Sequence, residues 1–339
     1  MELELSLYRS PRTSPGKVPL DASAASVVED VAEERVFHGQ CTVPDLARAV
    51  LAQLERTLLR HGFVRYRKLH VYEQFPVSLL FRLRNYLLER EGGEIPEALR
   101  NRNESSLREE VDYLRELLDL RPDRAKDAAL PAPFPSAAAS APEALQMRFQ
   151  LREAGWADAW ISVGGPEFHF WPGYLTHALG ELSHAAVRLL DPAEPRLPLE
   201  GDVPEIRWEG EPQRLRWELH RLEPGLVDVH VFYTRNAYDW DPDLGRLAVS
   251  EELVLRTQVS PAGFGAVVLA QLEQVLRKHG LLGYRECWID SEFPLSDYLK
   301  LHGLLSDAQD ASGSGATCWD FRGELGMLYE LIRRSDPGC

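Results

Sequence analysis

Leu51-Ala52-Gln53-Leu54-Glu55 opens a stretch that the chain carries twice, for the same five residues return as Leu269-Ala270-Gln271-Leu272-Glu273. From there the two copies keep register without a gap. His61-Gly62 matches His279-Gly280, Tyr66-Arg67 matches Tyr284-Arg285, and Phe75-Pro76 matches Phe293-Pro294. Roughly 14 of 36 aligned positions are identical, which marks an internal repeat. Upstream, Val36 to Val43 resembles Leu253 to Ser260, both β-prone and both followed by a Pro. The stripe Leu46, Val50, Leu51, Leu54, Leu58 recurs as Phe264, Val268, Leu269, Leu272, Leu276, at the spacing that turns one apolar helix face to a core. Gly62 and Gly280 suit the position just past a helix, where a positive φ costs little, and His61 and His279 then lie in the last turn, where the helix dipole favours a protonated imidazole. Val64 to Tyr72 and Leu282 to Asp290 read as strands by their alternation, with Cys287 and Ile289 on one face. Pro76 and Pro294 suit the first turn of a further helix. The repeated unit is therefore expected to run strand, helix, strand, helix.

Between the copies, Ser105 to Leu120 has helical spacing through Leu107, Val111, Leu114, Leu117 and Leu118. Residues 128–143 are rich in Ala, Pro and Ser and read as a linker. Beyond it, Trp156 to Val163 and Glu167 to Trp171 predict a hairpin turning at Gly164-Gly165, and Tyr174 to Leu190 an amphipathic helix. Arg214 to Leu222 alternates, turns at Glu223-Pro224-Gly225 and continues through Val227, Val229 and Val231. A last helix is expected near Gly323 to Arg334, after a Gly/Ser spacer at 311–315. The fold class is α+β: internally duplicated units with mostly antiparallel sheets flanked by helices. The expected division is an N-terminal copy with a helical extension over 1–122, a linker over 123–145 and a larger C-terminal copy over 146–339.

The 339 residues carry 53 acids against 38 Lys and Arg, a net charge of −15. Such a balance argues against nucleic acid, which calls for a basic face, and against anionic membranes. Thirty-one aromatic residues (12 Phe, 11 Tyr, 8 Trp) and 44% hydrophobic content imply packed cores. No run of 18 apolar residues is present, and the acidic, alternating start argues against a signal peptide. Cys41, Cys287, Cys318 and Cys339 form no close pair, as expected of free thiols in a cytoplasmic protein.

No cofactor, metal or catalytic residue is indicated. The loop Asp239-Trp240-Asp241-Pro242-Asp243 resembles the start of a calcium loop, but Gly245 falls one place late and position twelve is Ser250, so a solvated loop is expected. His169, His177 and His184 lack metal-site spacing, since His177 and His184 stand two helical turns apart. His38 and Cys41 face opposite sides of a strand. Nucleophile elbow, P-loop and dinucleotide fingerprints are absent, and Cys318 has no local His. Aromatics beside acids have the makeup of a protein-binding hot spot. The residues expected at such a surface are Tyr238, Asp239, Trp240, Asp241, Asp243, Asp290 and Glu292. The group Trp156, Trp160, Phe168, Phe170, Trp171 and Tyr174 is expected in the core.

Ala178-Leu179-Gly180-Glu181-Leu182 with Leu189-Leu190, Arg214-Leu215-Arg216-Trp217, and Gly280 to Trp288 followed by Phe293-Pro294-Leu295 resemble an uncharacterised α+β family of high-G+C bacteria over about residues 150–305. More loosely, the chain is similar to the acidic immunity proteins that accompany bacterial polymorphic toxins. That resemblance implies a non-catalytic protein that binds a basic protein partner, such as a toxin, and holds it inactive. A scaffold or regulatory subunit of a bacterial defence or secretion complex is one alternative. The other is a hydrolase acting through the Asp239–Asp243 loop or the His and aromatic region at 168–184.

Overall fold

The computed structural model describes residues 2–9, 34–69, 74–93, 107–119, 145–191, 205–223, 225–238, 240–241, 246–247, 250–289, 291–307 and 321–335. Within them the chain has an α+β fold, and it divides into two units, residues 1–53 and 54–339. In the first unit, β1 (Glu2–Arg9) pairs antiparallel with β2 (Glu34–Thr42), and β2 leads into α1 (Val43–Leu69), which crosses the division. Thr42 Oγ1 accepts from the Asp45 amide at 3.3 Å, and so caps the start of α1.

In the second unit, β3 (Leu145–Leu151), β4 (Ala157–Val163) and β5 (Phe168–Phe170) form an antiparallel sheet in that order. A second sheet has the order β11-β8-β7-β6, from β6 (Glu205–Gly210), β7 (Gln213–Glu223), β8 (Leu226–Thr234) and β11 (Glu251–Val259). The short strands β9 (Trp240–Asp241) and β10 (Arg246–Leu247) close a small hairpin between them. Strict alternation puts Leu215, Trp217 and Leu219 with Val227, Val229 and Val231 on the buried face, as their spacing predicts. Helices α4 (Ala178–Leu190) and α5 (Pro261–Cys287) pack on this β layer. Trp208 of β6 donates from Nε1 to the Ala178 carbonyl at 3.0 Å, and Gln271 of α5 accepts from the Phe149 amide of β3 at 3.0 Å. The remaining helices are α2 (Val77–Arg90), α3 (Leu107–Asp119), α6 (Leu295–Asp307) and α7 (Phe321–Ser335).

The second strand expected in each copy is a helix instead. Residues 64–69 continue α1 and residues 282–287 continue α5, so the order is strand, broken helix, helix, and Cys287 closes a helix rather than lying on a strand. Each of these 27-residue helices breaks at one glycine, Gly62 (φ 65°, ψ −174°) and Gly280 (φ 64°, ψ −169°). A break exposes the first amides of a new helical run, which need acceptors when buried. Glu324 of α7 accepts from Phe63 N (2.6 Å) and Val64 N (3.0 Å), and Glu110 of α3 accepts from Leu281 N (2.7 Å) and Leu282 N (2.9 Å). Both carboxylates are fully buried and sit at the positive end of a helix dipole. An alanine Cβ would lie 2.5 Å from Glu324 Oε2 at position 62 and 2.8 Å from Glu110 Oε2 at position 280.

Other contacts recur at the offset of the sequence repeat. Tyr66 meets Phe75 edge-on with centroids 5.1 Å apart, and Tyr284 meets Phe293 likewise at 5.3 Å. Gln74 accepts from the Ser296 amide at 3.2 Å, while Glu292 accepts from the Ser78 amide at 3.3 Å. These links join residues on both sides of 123–145. The linker residues 128–143 lie outside the described residues.

Removing a cap leaves two buried amides without acceptors, at roughly 1–3 kcal/mol each. Glu324→Ala and Glu110→Ala are each expected to lower unfolding free energy in urea by about 3 kcal/mol, with Gln intermediate because it retains one acceptor oxygen. A loss under about 0.5 kcal/mol for both Ala variants would show that the caps do not support the fold.

Candidate functional site

Two features of the second unit stand out, a cleft among helices and an exposed aromatic surface. The cleft, about 420 Å³, is lined by Arg67 at the end of α1, Gln74, His177, Glu181 and His184 along α4, and Ser291, Glu292 and Asp297 at the start of α6. Here the match between positions at that sequence offset fails. Asp297 occupies the position whose counterpart, Leu79, is exposed. Arg67 is buried in a salt bridge with Asp297, and its counterpart Arg285 pairs instead with Glu292 at 3.0 Å. Arg67 also donates to His184 Nδ1 at 2.8 Å, an arrangement that places the His184 proton on Nε2. Asp297 further accepts from Ser183 Oγ at 3.4 Å and Gln74 Nε2 at 3.5 Å.

Burial controls protonation in the cleft. It pushes His177 down to about 4, against the opposing charge of Asp297, and it pushes Glu181 up to about 7, against the Arg207 amide that hydrogen-bonds its carboxylate. Burial raises Glu292 as well, with Ser78 and Arg285 opposing. The imidazole of His177 is thus neutral and the carboxyl of Glu181 largely protonated over mildly acidic pH. His279 departs from expectation, because burial and then the charge of Lys278 lower its affinity for protons.

The aromatic surface lies where β5, the start of α4 and the β6–β7 turn meet. Trp171, Tyr174 and Tyr238 are 41%, 43% and 50% exposed. Trp171 and Trp156 line a shallow groove of about 420 Å³ with Glu153, Glu211 and Pro212. The Ala237 amide donates to the Pro212 carbonyl at 2.8 Å, which brings Tyr238 to the groove's edge, and Tyr174 and Ile289 border it across Gly155. Partial burial, then the charges of Glu209 and Glu211, raise the Tyr238 phenol. Trp171 is braced from behind by His169 (centroids 4.5 Å apart), which stacks parallel on Trp160 at 4.7 Å, with the Arg148 guanidinium 4.0 Å over that ring.

Of the residues expected at a binding surface, Tyr238 is there. Glu292 is not on it: its side chain is only 14% exposed and lines the cleft, bonded to Ser78 and Arg285. Trp240 and Asp241 form β9, with their side chains outside the described residues, and Asp239, Asp243 and Asp290 also lie outside them. Of the aromatics expected in the core, Phe170 is buried, Trp156, Trp160 and Phe168 are half-buried, and Trp171 and Tyr174 are exposed. The reason is local: α4 begins at Ala178 and not at Tyr174, so residues 174–175 stay in the connecting loop with no helix to turn them inward. Comparison with family models, with curated proteins and with solved structures finds no match to this chain. Among the described residues, no helix is long and apolar enough to cross a membrane.

The two shifted groups of α4 have opposite effects on stability. Glu181 is raised, so its contribution is complete below about 4.5 and is lost as pH rises through about 7. His177 is lowered, so its contribution is complete above about 6.5 and is lost as pH falls through about 4. Glu181→Gln should therefore gain stability relative to the parent as pH rises from 4.5 to 7, and His177→Asn should gain as pH falls from 6.5 to 4, both read from melting temperature against pH. Parallel profiles for parent and variants would show that neither group titrates abnormally.

Proposed function

We propose that this protein acts by binding another protein, of basic character, in the manner of an immunity protein that neutralises a toxin. The observation that carries the reading is the run of exposed aromatics Trp171, Tyr174 and Tyr238 beside Glu153, Glu209 and Glu211. Tyr and Trp supply large contact area at little entropic cost, and they dominate binding energy where water is excluded. A net charge of −15 speeds encounter with a basic partner and disfavours acidic ones. The expected partner is a basic protein encoded beside this chain and toxic when expressed alone. Co-expression should relieve that toxicity and yield a stable complex. Trp171→Ala with Tyr238→Ala should weaken the complex by about 30-fold or more and leave the melting temperature unchanged. A neighbouring gene for an unrelated metabolic enzyme, with no complex formed, would defeat the reading. Complex formation without relief of toxicity favours instead a scaffold or regulatory subunit of a defence or secretion assembly.

A second reading, a hydrolase built on residues 168–184, has one observation in its favour. His177, Glu181 and His184 converge with Arg67 and Asp297 in one concavity, as acid–base chemistry requires. If it holds, His177→Ala abolishes hydrolysis of an ester or phosphoester substrate panel while Trp171→Ala with Tyr238→Ala does not.

A further inference from the structure

We infer that the outer face of the four-stranded sheet carries a binding site for a first-row transition dication, with Glu218, His220 and His230 as ligands. The register makes it. Glu218 and His220 are two apart on β7 and so share a face, and on β8 the residues opposite them are His230 and Asp228. Four side chains therefore form a square on the side of the sheet away from the Leu215, Trp217 and Leu219 core.

Within that square the ligand atoms are already sorted. Glu218 gives one carboxylate oxygen, Oε1, to Arg216 and turns the other, Oε2, towards both imidazoles. Its Oε2 is 2.9 Å from His220 Nε2 and 3.9 Å from His230 Nδ1, and all three ligand atoms lie within 4.8 Å of one another. An ion bonded at about 2.1 Å to each needs separations of roughly 3.0–3.5 Å, which small side-chain rotations supply. The imidazole rings stand 4.9 Å apart and are not stacked.

The second tier distinguishes this cluster from a chance pairing of histidines and acids. His230 meets Asp228 Oδ2 through Nε2 at 3.0 Å, and Arg256 holds the same carboxylate at 2.7 Å. A carboxylate kept ionised by a guanidinium accepts, so His230 carries its proton on Nε2 and presents the Nδ1 lone pair to the site. Carboxylate–imidazole pairs of this kind orient metal-bound histidines and raise their basicity. Two nitrogen donors and one carboxylate oxygen suit zinc and its neighbours better than calcium or magnesium, which prefer oxygen alone. All three ligands are half-buried, and a tetrahedral ion held by three protein ligands keeps a fourth position for water or for a group of a bound molecule.

The test is titration of the chelator-treated full-length protein with Zn²⁺ by calorimetry. One ion per chain is expected to bind at micromolar concentration or tighter, and His220→Ala and His230→Ala should each weaken binding at least 10-fold. Asp228→Asn should weaken it by about 10–100-fold, whereas His169→Ala, on the other sheet, should not change it. A readout without variants guards against misfolding: Zn²⁺ should protect His220 and His230 of the parent protein from diethylpyrocarbonate, with His169 as reactive as before. Absence of binding at 100-fold higher Zn²⁺, full binding retained by the double histidine variant, or protection confined to other residues would each overturn the inference.

Discussion

Two buried carboxylates, Glu110 and Glu324, hold the helical part of the second unit together. A helix that breaks at a glycine in the protein interior presents unpaired amides where water cannot reach them, and a fold with two such breaks needs two acceptors of the right shape. Each carboxylate spans adjacent N–H groups with its two oxygens. Around these anchors the rest falls into place. Helices α3 and α7, which carry the caps, pack against each other with Tyr329 donating to Asp112 at 2.6 Å. The short helical runs after the breaks carry Arg67 and Arg285 to the start of α6 and the loop before it.

The cleft lies where the matching of contacts at that sequence offset ends. Positions related by the repeat make like contacts at 63 and 281, 66 and 284, and 74 and 292, but Asp297 stands against Leu79, and α4 adds two histidines and a glutamate. Burying Arg67 and Asp297 together is costly unless their lone pairs and protons find partners, and Ser183, Gln74 and His184 supply several of them. A network of that kind fixes one arrangement of α1, α4 and α6, and this rigidity serves a binding protein as well as an enzyme.

Much of the fold is legible in the sequence where the signal is local. The stripe in α5, the alternation of β7 and β8 and the Gly-Gly turn each set their own element. The strands expected after Gly62 and Gly280 fail because the deciding group is remote: the cap on Phe63 lies 261 residues away, and that on Leu281 lies 171 residues away. Val64 to Tyr72 is expected as a strand from its alternation, while the helical run over 63–69 has its first amides capped by the distant Glu324. The exposure of Tyr174 follows from a helix that starts four residues later than its apolar periodicity suggests. The Glu218, His220 and His230 cluster was within reach of the hairpin reading, since pairing Leu219 with Val229 sets Glu218 opposite His230. A search for metal sites by spacing along one segment passes over a square formed across two strands.

The crossed placement of the caps also governs how the chain matures during synthesis. Residues 54–119 emerge from the ribosome long before Glu324 exists, so the break at Gly62 remains without its acceptor until α7 is made. The earlier cap, Glu110, waits in turn for residues 281–282. The amides of Phe63 and Val64 therefore meet their acceptor only after α7 has been made. The amides after both breaks are thus paired only when the two ends of the second unit have met.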